Sequence, residues 1–234
     1  MKRILFIFLL LCGGNIYAQK FFRPENMIET GVYYYPEAWN PDQWERDIKN
    51  ISEIGFEFIH LAEFGWAKME PEEGKYDFSW LDRVVELSAK YKLKVIMGTP
   101  TAAPPVWLTQ KYPEVLIVLE TGERAQHGTR EHYSWSSNKY RELTSGIVST
   151  MAKRYGQNKN IWGWQIDNEP SHYGIVDYSE VARLSFIKWL RDKYGSIGKL
   201  NYAWGTAFWS TTFNNFEQIE IPSKLKQITD VASQ

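Results

Sequence analysis

The chain has 234 residues, 44% hydrophobic and 24% charged, with 27 basic against 28 acidic side chains and a formal net charge of −1. A balance this even offers nucleic acid or an anionic membrane no basic surface, and both are excluded as expected partners. The only cysteine is Cys12. If the N-terminal segment that holds it is removed, no disulfide and no thiolate metal site can form in the remainder.

That segment, MKRILFIFLLLCGGNIYAQK, opens with Lys2 and Arg3, runs apolar from Ile4 to Cys12 and reaches a small residue at Ala18 before Gln19. This is the layout of a secretory signal peptide over residues 1–18, so the sequence predicts export to a periplasmic or extracellular location. The apolar run is too short for a bilayer span, which takes roughly 20 residues. A lipidated Cys12 would call for a small residue before it, and Leu11 stands there. N-terminal sequencing of the exported protein is expected to start at Gln19. A retained Met1 or a diacylated Cys12 would overturn that expectation.

Strand-like and helix-like runs then alternate. Residues 31–35 (GVYYY) are rich in β-formers and stop at Pro36. Asn40 is placed to cap a helix, with Pro41 at its first position and Gln43 set for a capping box. Trp44, Ile48, Ile51 and Ile54 are read as one apolar face of that helix, and Gly55 as its end. Residues 56–62 (FEFIHLA) read as a second strand, and 78–91 as a helix through Leu81, Val84, Val85 and Leu87. A third strand, 94–97 (KVIM), gives out at Gly98 into TPTAAPP, where Pro104 and Pro105 dictate a loop. A long excursion to about residue 137 precedes a helix over 139–155, a fourth strand over 161–166 (IWGWQI) and a helix over 178–194.

Four strands each followed by a helix predict an α/β fold, the first half of a (β/α)₈ TIM barrel. A doubly wound sheet would want a Gly-rich phosphate loop after the first strand, where YYPEAW stands. A whole barrel takes about 250 residues and eight strands, so residues 19–234 read as a barrel domain cut before its later strands.

In such a barrel the chemistry sits at the C-terminal ends of the strands. The segment WGWQIDNEPS places Asn168 and Glu169 just past the fourth. Retaining cleavage of a glycosidic bond needs two carboxyl groups about 5–5.5 Å apart, one to protonate the leaving oxygen and one to attack the anomeric carbon. Glu169 fits the first role, and Asn168 can bond a sugar hydroxyl beside it. The plain alternative is a turn asparagine and a glutamate near a helix start. The 11 Trp, 14 Tyr and 12 Phe leave a similar choice between core packing and stacking on the apolar faces of pyranose rings. Glu63, after the second strand, either supports the site or pairs with a basic neighbour. His60, His127, His132 and His172 contain no helical pair of metal ligands, and His127 and His132 read as loop or solvent contacts. Arg130, on the residues around it alone, reads as a loop-solvating side chain.

The runs GVYYYPEAW, EFGWAKMEPEEGKYDF, GTPTAAPPVWL, REHYSWSSNKYRE, WGWQIDNEPS and YAWGTAFWS, in that order over most of residues 31–210, resemble glycoside hydrolase family 42, the bacterial β-galactosidases. The resemblance implies hydrolysis of terminal non-reducing β-D-galactose from oligosaccharides through a covalent glycosyl-enzyme. It maps the acid/base onto Glu169 with Asn168 beside it, and a galactose-subsite arginine onto Arg130. It also maps a pocket tryptophan onto Trp209, with Trp204 open as the alternative. It implies no cofactor and leaves self-association of the full-length protein open. The family's zinc cysteines have no counterpart, since Ser134 and SHYGIVDYS occupy their places, so no metal is expected. The family's nucleophile falls on a later strand, so this chain alone is expected to lack activity. Two other readings stay open: a related barrel glycosidase of different sugar preference, and a sugar-binding protein without turnover.

Overall fold

The computed structural model describes residues 28–128, 130–170 and 176–223. The leader and its Ala18–Gln19 boundary lie outside them, as does His172. Four parallel strands, β1 (Gly31–Tyr33), β2 (Phe58–Leu61), β3 (Lys94–Gly98) and β4 (Ile161–Gln165), form one sheet in the order β1-β2-β3-β4. Among the described residues seven helices accompany them: α1 (Pro41–Ile54), α2 (Trp66–Met69), α3 (Ser79–Lys90), α4 (Val106–Lys111), α5 (Asn138–Tyr155), α6 (Glu180–Tyr194) and α7 (Ile197–Trp204). Each strand pairs with its successor in sequence, without the reversal of order that marks a doubly wound sheet. These are consecutive units of a (β/α)₈ barrel.

The period-two alternation of the strands separates two faces. Ile59, Leu61, Val95 and Met97 are fully buried and join Trp44, Ile48, Leu81, Val84 and Val85 of α1 and α3 in one core. The opposite face carries Tyr33, His60, Ile96 and Gly163, which the pairing register puts in one row across the sheet. That row is the wall of the barrel interior, and its Tyr33, His60 and Ile96, with Phe58 and Gln165, border an open concavity.

Local signals explain the element boundaries. The Asn40 side chain accepts from Asp42 N at 3.1 Å, Ser137 from Tyr140 N at 3.2 Å and Ser179 from Ala182 N at 3.3 Å, starting α1, α5 and α6. Gly55 closes α1 at φ 103°, a conformation only glycine adopts without strain.

Several expectations need correction. β1 ends two residues early, because Pro36 opens a 3₁₀ turn over Pro36–Ala38. Ile54 is 75% exposed instead of buried with Trp44, because at 100° per residue it lies roughly 90° round the helix from the centre of that stripe. The TPTAAPP segment is not plain loop. Pro100 takes the first position of a 3₁₀ turn over Pro100–Ala102, and α4 starts directly after Pro105. The long excursion is built around α4, a 3₁₀ turn at Pro113–Val115 and isolated bridges between Leu116 and Tyr133 and between Val118 and Arg124. α7 was not anticipated, although Ser196 caps its start and Gly205 ends it at φ 64°. It packs with α6 in a second, smaller cluster of Ile187, Leu190, Leu200, Phe216 and Ile219. Among the described residues no helix is long and apolar enough to cross a membrane.

Candidate active site

Three chain segments meet at the C-terminal end of the sheet. The exit of β2 supplies Glu63 and Phe64, the exit of β4 supplies Gln165, Asn168 and Glu169, and the excursion after β3 supplies Arg130. Gly98 at the end of β3 makes the meeting possible: a Cβ there would stand 2.9 Å from Glu63 Cα and 3.0 Å from His60 Cε1. No side chain fits in that gap.

Left-handed backbone concentrates here. Ala62 (φ 75°), Glu131 (φ 57°), Asp167 (φ 60°) and Glu169 (φ 43°) all adopt it without being glycine. Such residues each cost about 1–3 kcal/mol and persist where surrounding contacts enforce them. Those contacts are present. Asp167 N donates to Thr99 Oγ1 at 2.7 Å, Asn168 N to Asp167 Oδ1 at 2.8 Å, and Glu131 N to Ala102 O at 2.8 Å.

Glu169 carries its carboxylate to the surface, where Oε2 meets Arg130 Nη2 at 3.0 Å; the two side chains are 57% and 34% exposed. An ion pair so exposed adds little stability, so its consequence is orientation. Arg130 is held from two further sides. Its guanidinium lies over the Phe64 ring at 5.9 Å, and its Nη1 is 2.8 Å from the Asn168 amide oxygen once that amide is oriented by its neighbours. In the same orientation the Asn168 nitrogen donates to Glu63 Oε1 at 2.6 Å. Glu63, only 3% exposed, also accepts from Tyr35 Oη at 2.8 Å and Gln165 Nε2 at 3.2 Å.

Glu131 is a second carboxylate on the Arg130 turn, but it is buried and its two oxygens have no hydrogen-bond partner. Burial pushes its carboxyl above the usual range, Arg130 opposes this, and the charges of Glu169 and Asp167 add to it. His132 is driven down to about 4 by burial first and then by the neighbouring His127, and burial also lowers His60. His127 and His132 touch ring to ring at 4.7 Å, and His127 Nδ1 lies 2.9 Å from Thr109 Oγ1. Among the described residues no group of three or more His, Cys, Asp or Glu is placed to hold a metal ion. Ser134 is fully buried in the turn before α5, where its Oγ accepts from Ser136 N at 3.2 Å.

The fold thus brings together Glu169, Asn168, Arg130 and Glu63. The two tryptophan candidates sit further along the chain, Trp204 at the end of α7 and Trp209 in the 3₁₀ turn Phe208–Ser210 that follows. Trp204 is packed edge-on against Tyr194 and Phe213, with its indole N–H donating to Tyr194 Oη at 3.1 Å. Trp209 is 78% exposed, with φ 60° and Phe208 as its ring neighbour. Tyr35, Phe64 and Gln165 escaped the sequence reading. The available signals were a tyrosine at the exit of β1 and a glutamine closing an otherwise apolar strand, IWGWQ.

The family model of glycoside hydrolase family 42, described as beta-galactosidase, matches residues 33–234. Beta-galactosidase BgaA of Thermus sp. is 45% identical over 193 residues, 82% of this chain and 30% of the relative. Beta-galactosidase BgaH of Haloferax lucentense is 42% identical over 194 residues, again 82% of this chain and 29% of the relative. The crystal structure of a beta-galactosidase from the psychrophilic Marinomonas ef1 superposes with a TM-score of 0.82 at 38% identity, over 86% of this chain and 31% of that one. The chain spans about 30% of the length of the curated relatives it matches.

Proposed function

The chain belongs to glycoside hydrolase family 42, and on that basis we propose that it carries the acid/base half of the site of a retaining β-galactosidase, exported by way of residues 1–18. The observation that carries this reading is the placement of Glu169: past the end of β4, exposed, and oriented by Arg130 at 3.0 Å. In the first step the Glu169 carboxyl donates its proton to the glycosidic oxygen while a glutamate from a later strand attacks C1. The C1–oxygen bond breaks, the aglycone leaves as an alcohol, and galactose is held as an ester. In the second step Glu169, now a carboxylate, takes a proton from water as the water oxygen attacks C1 and releases the nucleophile. Asn168 and Arg130 bond the galactose hydroxyls, and Trp209 offers its exposed face to the sugar. No cofactor enters either step.

The direct test follows the anomer first formed from an aryl β-galactoside by the protein at its relatives' full length. Proton NMR is expected to show β-galactose before mutarotation. α-Galactose formed first would mean inversion and rule out the covalent intermediate. Faster turnover of another glycoside would support a related barrel enzyme instead, and binding without turnover a sugar-binding protein.

A further inference from the structure

We propose that Glu63 is a positioning residue for the acid/base: it fixes the orientation of the Asn168 amide and, through it, the Arg130 guanidinium that holds Glu169. This rests on the reading of Glu169 as acid/base and adds a component to it.

The environment of Glu63 is unusual for a purely structural carboxylate. It is 3% exposed, and the donors that reach it are neutral: Tyr35 Oη at 2.8 Å on Oε2, and Gln165 Nε2 at 3.2 Å and the Asn168 nitrogen at 2.6 Å on Oε1. Burying a charge among neutral groups is unfavourable, and an apolar residue of similar size commonly serves packing as well or better. A carboxylate does one thing that an apolar or amide side chain cannot: it presents acceptors only. Burial and the hydrogen bond to Glu63 hold the Tyr35 hydroxyl protonated well above its usual range, so that group remains a donor.

The consequence falls on Asn168. Its amide has one donor end and one acceptor end. With its nitrogen committed to Glu63, its oxygen must face Arg130 Nη1, 2.8 Å away. If the amide turned over, N–H would point at N–H across that same distance, and Arg130 would be driven off. Glu169 would then lose its 3.0 Å partner. The next residue reinforces the arrangement. The Phe64 ring stacks on Tyr35 at 5.8 Å with planes 6° apart, and lies beneath the Arg130 guanidinium. The contact at Gly98, where even a Cβ would fall 2.9 Å from Glu63 Cα, leaves the dipeptide no room to drift.

The test uses the full-length enzyme with Glu63→Gln, Asn168→Ala, their combination and Glu169→Ala, assayed on lactose and on an aryl galactoside with an acidic leaving phenol. A glutamine at 63 presents one acceptor oxygen where the carboxylate presents two, so Tyr35, Gln165 and Asn168 can no longer all donate to it, and of the three only the tyrosine hydroxyl can accept the new N–H. It is expected to lower kcat/KM on lactose by about 10- to 100-fold, the scale of a misplaced catalytic group, and by much less on the activated substrate. Because Glu63 acts through Asn168, adding Glu63→Gln to Asn168→Ala is expected to cost less than about threefold more. Should Glu63→Gln fail to fold, Tyr35→Phe releases Oε2 and is expected to show a smaller loss with the same lack of additivity. Losses that multiply, equal losses on both substrates, or a Glu63→Gln enzyme matching wild type would overturn the positioning role. If Glu169→Ala itself keeps lactose turnover, the acid/base reading fails; if Glu169→Ala is crippled and Glu63→Gln is not, only the role of Glu63 fails.

Discussion

Glu169→Ala in the full-length enzyme is expected to cut lactose turnover by about 10²- to 10⁴-fold, the usual worth of general acid/base help. The leaving glucose oxygen is a poor leaving group without a proton, and no other described carboxyl shares the exposed position of Glu169. Glu131 lies on the neighbouring turn, but it is buried. Aryl galactosides with a strongly acidic phenol should form the glycosyl-enzyme at nearly the normal rate, since their departing oxygen is stable as an anion. The second step then limits, because water has lost its base. Added azide needs no base and is expected to restore part of the rate and give β-galactosyl azide, with product configuration read by NMR. A loss of only a few-fold on lactose would move Glu169 to a structural role. An α-configured azide would make it the nucleophile.

That expectation depends on contacts unevenly legible in the sequence. The four strands and the helices α1, α3, α5 and α6 were legible because their signals are local: short strand-forming runs such as GVYYY, FEFIHLA and KVIM, the side-chain cap at Asn40, the glycine at Gly55 and the helical spacing of Leu81, Val84, Val85 and Leu87. α7 had equally local signals, Ser196 and Gly205, but only eight residues in which to show a periodic face. Asn168 and Glu169 stood out because a strand exit in a barrel is where side chains reach the pocket. What aims them was not legible. Gln165 meets Glu63 across 102 residues of sequence, and only because the register pairs Gly98 with Gln165. Arg130 lies in an excursion whose course is set by Ala102 O accepting from Glu131 N and by the Leu116–Tyr133 bridge. Neither contact follows from a local pattern.

The excursion in turn leans on an aromatic column, which gives the largest expected effect on stability. Trp66→Ala is expected to destabilise the fold by about 3–5 kcal/mol from the lost ring and the cavity it leaves. Trp66 is fully buried, and its indole N–H donates to Glu70 Oε2 at 2.7 Å. Glu70 is itself 2% exposed, and its other oxygen accepts from Gly74 N at 2.8 Å. Truncation therefore also leaves a buried carboxylate oxygen without its donor. Trp66→Phe separates the two effects, because it keeps most of the apolar volume and removes only the N–H. Its expected cost is about 1–3 kcal/mol, the penalty for an unsatisfied buried polar group. The column continues from Trp66 to Tyr140 at 6.4 Å, from Tyr140 to Tyr133 stacked at 4.0 Å, and from the Tyr133 hydroxyl to Asp167 Oδ2 at 3.4 Å. Asp167 is the left-handed residue two positions before Glu169, so loosening the column should disturb the site as well as the core. Urea melts of wild type and both variants measure the stability terms, and kcat on lactose measures the disturbance. A Trp66→Phe protein as stable as wild type would show that the bond to Glu70 contributes nothing, and a Trp66→Ala protein with full activity would show that the column does not support the Glu169 turn.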